Sequence, residues 1–297
     1  MSTLLWASIL LCLIAGSAID KGNVCLVRAA GHLAQGRPAI AIGILMLTAS
    51  ASVVFYLNTL FDLHHRPVIW SYPALLTLAG AVIYALGSLL NGACAVGTVG
   101  RVARGDIGHL ATIAGGLAVA WLLPHTPIIH QTPDLAIASG ANWLLLVLAF
   151  TAAIMLLGRK YLPDARLASY MALGFTAAVI TDWQGNWTWL GVLQQIQSGL
   201  PIQYSALACI AAVLIGAALT AAFRKKFRLI RPDPKAMLRE AAGGALMAAG
   251  AILIPGANDA LSVYLVPSGS PHAIVGYAVM FAVMVLVARM KPIFRRR

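Results

Sequence analysis

Two of the four cysteines stand in segments broken by glycine. One is Gly22-Asn23-Val24-Cys25, followed by Arg28; the other is Asn91-Gly92-Ala93-Cys94-Ala95-Val96-Gly97-Thr98, followed by Arg101 and the Gly105-Asp106 pair. A thiol is a weak S–H donor and a soft acceptor, so it can touch a polarisable anion without holding it tightly. As a thiolate it is a nucleophile instead, but no histidine or carboxylate adjoins either cysteine to serve as its base. No C-x-x-C spacing occurs, so neither a zinc site nor a disulfide framework is indicated. Cys12 and Cys209 lie inside unbroken apolar runs and read as packing residues. Asp62, His64 and His65 could together bind a metal, but a solvated loop is the preferred reading and no metal site is expected.

The elements that must hold these segments are set by composition. Of 297 residues, 60% are hydrophobic and only 10% charged, far below the roughly one quarter charged residues of soluble domains. The net charge of +12 does not mark a nucleic-acid protein, because the basic residues fall between apolar blocks rather than on a polar, aromatic-bearing surface. No G-x-x-x-x-G-K-[ST] stretch occurs, so ATP is not expected as the direct energy source, and no cofactor is expected. Met1 to Ala18 has no basic residue before its apolar run and reads as a first helix, not a signal peptide.

Nine runs approach the roughly 20 residues needed to span about 30 Å of hydrocarbon. They are Leu4 to Ile19, Pro38 to Leu60, Tyr72 to Leu90, His109 to Leu123, Ala141 to Gly158, Leu167 to Thr181, Ile202 to Phe223, Ala241 to Ile254 and Pro271 to Val287. The expected fold is therefore all-α and polytopic, about nine transmembrane helices plus short re-entrant half-helices. With the C-terminal arginines placed in the cytoplasm, only Arg66 among the 21 lysines and arginines falls outside. That asymmetry predicts a plasma (inner) membrane protein with its N-terminus outside and its C-terminus cytoplasmic. Trp183, Trp187 and Trp189 then fall at the outer interface, as an aromatic belt would.

The sequence also matches itself. Gly22-Asn23 recurs as Gly185-Asn186, Gly36 as Gly199 and Pro38 as Pro201, all at a shift of 163; Gly92-Ala93 recurs as Gly256-Ala257 and His109 as His272 at 164 or 163. Four crossings on each side of a single linking helix predict an inverted 4+1+4 repeat, with residues 1–140 as the first copy, 141–158 as the link and 159–297 as the second. In such a plan the solute site lies near the midplane. Four interhelical segments carry the glycines: Asp20 to Arg37, Asn91 to Gly108, Asp182 to Leu200 and Pro255 to Ser270. Irregular backbone at membrane depth is tolerated only where protein or a water-filled cavity satisfies it, and the N-termini of half-helices favour an anion. Arg101 and Arg104 read first as topology anchors and second as anion attractors. Asp106, Asp182 and Asp259 could carry protons, although capping of a helix N-terminus is preferred for Asp182.

The two cysteine segments together resemble the YeeE/YedE sulphur-transport family, over nearly the whole chain. The resemblance implies movement of a small sulphur-containing anion, thiosulfate first, along a pathway through Cys25, Cys94, Gly22, Asn23, Gly92, Gly97 and Thr98 and their partners Gly185, Asn186, Thr188, Gly256 and Asn258. The second copy departs from the pattern, with Thr188 and Asn258 at the places of cysteines. Partners implied are the anion, the lipid bilayer and a cytoplasmic sulphur-carrier protein. No enzyme activity is expected. The alternatives are an intramembrane thiol or persulfide relay and a non-transporting membrane subunit.

Overall fold

The computed structural model describes residues 2–63, 73–123 and 141–295. His64, His65 and Arg66 lie outside the described residues, as does Tyr72 at the start of the third expected crossing.

Helix dominates the described residues, and they contain no strand. In chain order the long helices are α1 (Ser2–Gly22), α3 (Ala39–Leu60), α4 (Leu75–Asn91), α6 (Leu110–Leu122), α7 (Ala141–Tyr161), α8 (Asp164–Gln184), α10 (Tyr204–Phe223), α11 (Pro234–Leu253) and α13 (Pro271–Arg295). Between them lie short helices: α2 (Leu26–Ala34), α5 (Ala95–Ala103), α9 (Trp189–Gln197) and α12 (Asn258–Ala260), the last continuing through a wider turn over Leu261–Leu265. Each short helix occupies one of the glycine-broken segments. Among the described residues, six helical stretches are long and apolar enough to cross a membrane: Thr3–Ala34, Ala39–Leu60, Leu75–Ala103, Tyr204–Phe223, Pro234–Leu253 and Pro271–Met290. Large apolar side chains such as Leu10, Leu156, Phe175, Ile215 and Leu286 point out of the bundle, the surface expected against lipid rather than water.

Local chemistry sets the helix ends. The Asp233 carboxylate accepts the N–H groups of Lys235 and Ala236, and Pro234 occupies the first helical position of α11, where its missing N–H costs nothing. At the other kind of end, α4 stops at Gly92, whose φ of 75° lies in the left-handed region open to glycine.

Lipid supplies no hydrophobic drive between helices, so close contact rests on small residues and van der Waals packing. α4 and α11 meet on glycine. A Cβ on Gly80 would lie 2.8 Å from the Gly250 carbonyl oxygen, and one on Gly87 would lie 2.8 Å from that of Gly243. These contacts run 80 to 87 along one helix and 250 to 243 along the other, so the two helices are antiparallel. α1 and α8 are also antiparallel: Gln184 near the end of α8 donates to Ser8 near the start of α1, while Gly22 at the end of α1 lies by Ser169 and Tyr170. Gly80 and Gly243, Gly87 and Gly250, and α1 and α8 are partners at the 163-residue shift. Cross-pairs interchange in the same way, for α1 packs on α10 and α8 on α3, and α4 packs on α13 and α11 on α6.

Because neither backbone at the α4–α11 crossing can yield to an added side chain, Gly243→Val is expected to cost about 1–3 kcal/mol through overpacking. Thermal unfolding in detergent reads this out, and an unchanged melting temperature would contradict the close crossing.

Candidate functional site

Each short helix begins at a position singled out by the sequence. Cys25 precedes α2, Cys94 precedes α5, Thr188 precedes α9 and Ala257 precedes α12, with Asn258 as its first residue. In each, the carbonyl of the preceding residue accepts the first helical N–H, at 2.9 Å from Ala29 to Cys25, 2.8 Å from Thr98 to Cys94, 2.9 Å from Val192 to Thr188 and 2.8 Å from Leu261 to Ala257. The earlier N–H groups need other partners in a medium without water. Cys94 Sγ accepts one from Leu26 at 3.2 Å, tying the start of α2 to the start of α5, and Thr188 Oγ1 accepts one from Gly191 at 3.1 Å.

The two thiols face each other, with Cys94 Sγ 3.9 Å from Cys25 Sγ. Gly97 makes this possible, since a Cβ there would stand 2.6 Å from Cys25 Sγ. Asn91 fixes the turn between α4 and α5. Its Nδ2 donates to the Ala93 carbonyl at 2.8 Å and to Thr98 Oγ1 at 3.0 Å, while its Oδ1 accepts from Thr112 at 2.7 Å; Thr98 in turn donates to the Cys94 carbonyl at 3.0 Å. The second array closes on the first through the Tyr84 hydroxyl, which donates to Asn258 Oδ1, and through Trp189 Nε1, which donates to the Ala95 carbonyl at 3.3 Å. Among the described residues neither thiol has a histidine or carboxylate hydrogen-bond partner, so a general base for nucleophilic chemistry is missing there.

Cavities open toward this meeting point from both ends. One, of about 200 Å³, includes Asn23, Cys25, Gly92 and Gly97 in its wall, with Arg28, Arg101 and Arg104. The other, of about 290 Å³, is lined by Gly185, Asn186, Thr188, Gln194, Gly256, Asp259 and His272. The first sits at the C-terminal end of α1 and the second at that of α8, and since those helices are antiparallel the cavities lie on opposite sides. A third, of only about 60 Å³, lies between Ala95, Val96 and Val99 on one hand and Trp187, Thr188, Trp189 and Asp259 on the other. Corresponding wall positions differ in charge, with Gly191 standing 163 residues after Arg28 and Leu265 standing 164 residues after Arg101.

Arg101, Arg104 and Arg224 are anchored rather than loose. Asp20, 1% exposed, receives Arg104 Nε at 2.7 Å and Arg224 Nη1 at 3.0 Å, and Arg104 Nη1 donates to Asn23 Oδ1 at 3.0 Å. Arg101 reaches Asp106 at 3.4 Å. The backbone after α10 completes this end: Arg228 donates to the Arg104 carbonyl at 2.9 Å and Ile230 to that of Gly105 at 3.0 Å. Gly105 must be glycine there, because φ is 95° and a Cβ would stand 2.5 Å from the Arg228 carbonyl oxygen.

Two expectations are corrected. Trp187 and Trp189 are buried, not belt residues, because their indole N–H groups bond Thr181 Oγ1 and the Ala95 carbonyl inside the bundle; only Trp183 is partly exposed. Asp182 does not cap a helix N-terminus, since it lies in the last turn of α8 and accepts from Asn58 Nδ2 at 3.4 Å. Cys12 and Cys209 are fully buried and packed side by side between α1 and α10. Sequence reasoning did not find Tyr84 or Gln194, which sit in apolar or polar surroundings without a motif, and it met His272 only as the repeat partner of His109. Asn91 was visible as the first residue of the Cys94 segment but had no role until Thr98 and Thr112 met it.

This architecture is that of a multi-pass helical membrane protein whose short helices begin at a common interior point. A family model described as sulphur transport matches residues 136–286, just over half of the chain, and the chain belongs to that family. The resemblance to the YeeE/YedE sulphur-transport family is thereby borne out, and the protein is a transporter of sulphur compounds. The matched stretch holds Gly185, Asn186, Thr188, Gly256 and Asn258, whereas Cys25 and Cys94 lie before it. No curated protein matches the chain.

Cys25 borders a cavity and Cys94 is completely buried behind it, so a small maleimide should modify Cys25 before Cys94, Cys12 or Cys209. Peptide mass spectrometry over a labelling time course measures the order. Earlier modification of Cys94 would contradict the geometry.

Proposed function

We propose that the chain carries a small sulphur-containing anion, thiosulfate foremost, across the cytoplasmic membrane through the point where the four short helices begin. The carrying observation is the thiol pair, 3.9 Å apart, beside an arginine-walled cavity and across the bundle from a second cavity lined by amide and hydroxyl groups. Arginine guanidinium groups raise the local concentration of an anion. The thiols offer it weak S–H donors and soft acceptors, and weakness is what conduction requires of a binding step. On the far side Thr188 and Asn258 replace sulphur with hydrogen-bonding oxygen and nitrogen.

The scaffold of this reading is two inverted copies, residues 1–140 and 159–297, joined by the helix at 141–158. Antiparallel packing of partners at the 163-residue shift supports it, and so does the interchange of cross-pairs. Nine crossings follow, with the short helices entering from both faces. The basic cluster of Arg104, Arg224 and Arg228 gathers at one end of the bundle; by the excess of positive charge on cytoplasmic loops that end is the inner one. The N-terminus is then outside. A cytoplasmic sulphur-acceptor protein would dock at the same end.

Uptake of ³⁵S-thiosulfate into proteoliposomes tests the reading. Cys25→Ala and Cys94→Ala are each expected to reduce the initial rate by about tenfold, as loss of 1–2 kcal/mol at one step of the path would. If the double variant transports like the wild type, the route does not pass between the thiols.

A further inference from the structure

We infer that Asp259 is the proton-binding site that couples anion movement to the proton gradient, a deepening that rests on the anion-transport reading above. Asp259 is 6% exposed yet borders both the outer cavity of about 290 Å³ and the narrow one of about 60 Å³. It is thus the acidic side chain shared by the walls of the two cavities. Its environment contrasts with that of Asp20. Two guanidinium groups pair with Asp20, whereas Asp259 forms no ion pair among the described residues. Its partners are dipoles: the Ala260 N–H, 3.0 Å from Oδ1, and the Thr188 hydroxyl. Thr188 already accepts from Gly191, so its own hydrogen is free to point at the carboxylate.

The groups that face Asp259 are few. Thr188 stands at the start of α9, Tyr84 comes from α4 through its bond to Asn258, His272 from α13 across the outer cavity, and Tyr264 from the turn that follows. No lysine or arginine lines either cavity. A carboxyl held by dipoles alone in such a site can change protonation at modest cost, while one held between guanidinium groups cannot. The step follows from charge. Ionised, Asp259 repels an approaching dianion; protonated, it is neutral, and its O–H can donate to an anion oxygen. The proton enters from the outer cavity, and since the same carboxyl opens onto the narrow cavity beyond, it can leave on the far side as the anion passes. The position has no acidic counterpart in the first copy, where Ala95 stands 164 residues earlier, at the shift that also relates Asn258 to Cys94, so the two halves of the route are specialised: cations on one side and a switchable acid on the other.

The test uses full-length protein in phosphatidylethanolamine–phosphatidylglycerol vesicles with entrapped pyranine, potential clamped by potassium and valinomycin, and ³⁵S-thiosulfate as probe. In the wild type, adding thiosulfate outside should acidify the lumen. An acid-outside gradient should raise thiosulfate accumulation about tenfold per pH unit for one coupled proton. Asp259→Asn should bring the proton-to-thiosulfate ratio close to zero whatever its residual rate, and Asp259→Glu should restore it. Thiosulfate entry in the wild type without proton entry overturns the proposal and leaves the transport reading standing; this arm decides even where the Asn variant does not fold. A coupled Asn variant also overturns it. Absence of any thiosulfate flux in the wild type overturns both.

Discussion

A helix that starts inside lipid exposes N–H groups that no water can satisfy, and four such starts are gathered here into one place. The arrangement is self-limiting. Some of those groups are tied off within the protein, Leu26 by the Cys94 sulphur, Gly191 by Thr188 and Ala260 by Asp259. What remains is a small region of inward-facing positive dipole ends. Such a region is stable only if the turns that lead into it are rigid and the helices around it close, and both conditions are met by specific residues. Asn91 holds one turn through Ala93, Thr98 and Thr112, and Asn23, at φ 56°, holds another through Arg104.

Close approach is supplied by glycine where helices cross. At Gly80 and Gly87 on α4 and at Gly243 and Gly250 on α11 the backbones are in direct contact, and the crossing sits immediately before Asn91. The same residues that bring the arrays together therefore set the position of the Cys94 turn. The hydrogen bond from Tyr84, one turn along α4, to Asn258 then registers the second array on the first. Packing and site are a single construction, because the polar contacts reach only as far as the small residues allow.

Charge distinguishes the two sides. At the end that carries Asp20 the positive groups are crowded around one buried carboxylate and leave a surplus facing the cavity with Cys25. The opposite cavity has no basic residue other than His272. If the two copies descend from one sequence, as proposed, they have diverged where a solute would notice, in charge and in sulphur, while glycine spacing and crossing geometry persisted.

The long helices, their lipid-facing character and the location of the four irregular segments were legible in the sequence. Apolar length and glycine clustering are local properties, imposed by the bilayer and by the backbone conformations that glycine permits. That Cys25 and Cys94 stand at turns before short helices was legible through their glycine-rich surroundings. Their mutual distance was not, because it depends on Gly97 leaving room and on Leu26 bonding Cys94, two contacts that join residues 72 and 68 positions apart in the chain. Trp187 and Trp189 show the same limit from the other side: tryptophan near a helix end suits an interfacial belt equally well as a buried donor, and only the presence of Thr181 and the Ala95 carbonyl within reach decided for burial. Asp20 and Asp259 are both buried acids with polar neighbours in sequence. That one meets two arginines and the other none was settled by which helix ends the tertiary packing brought to each.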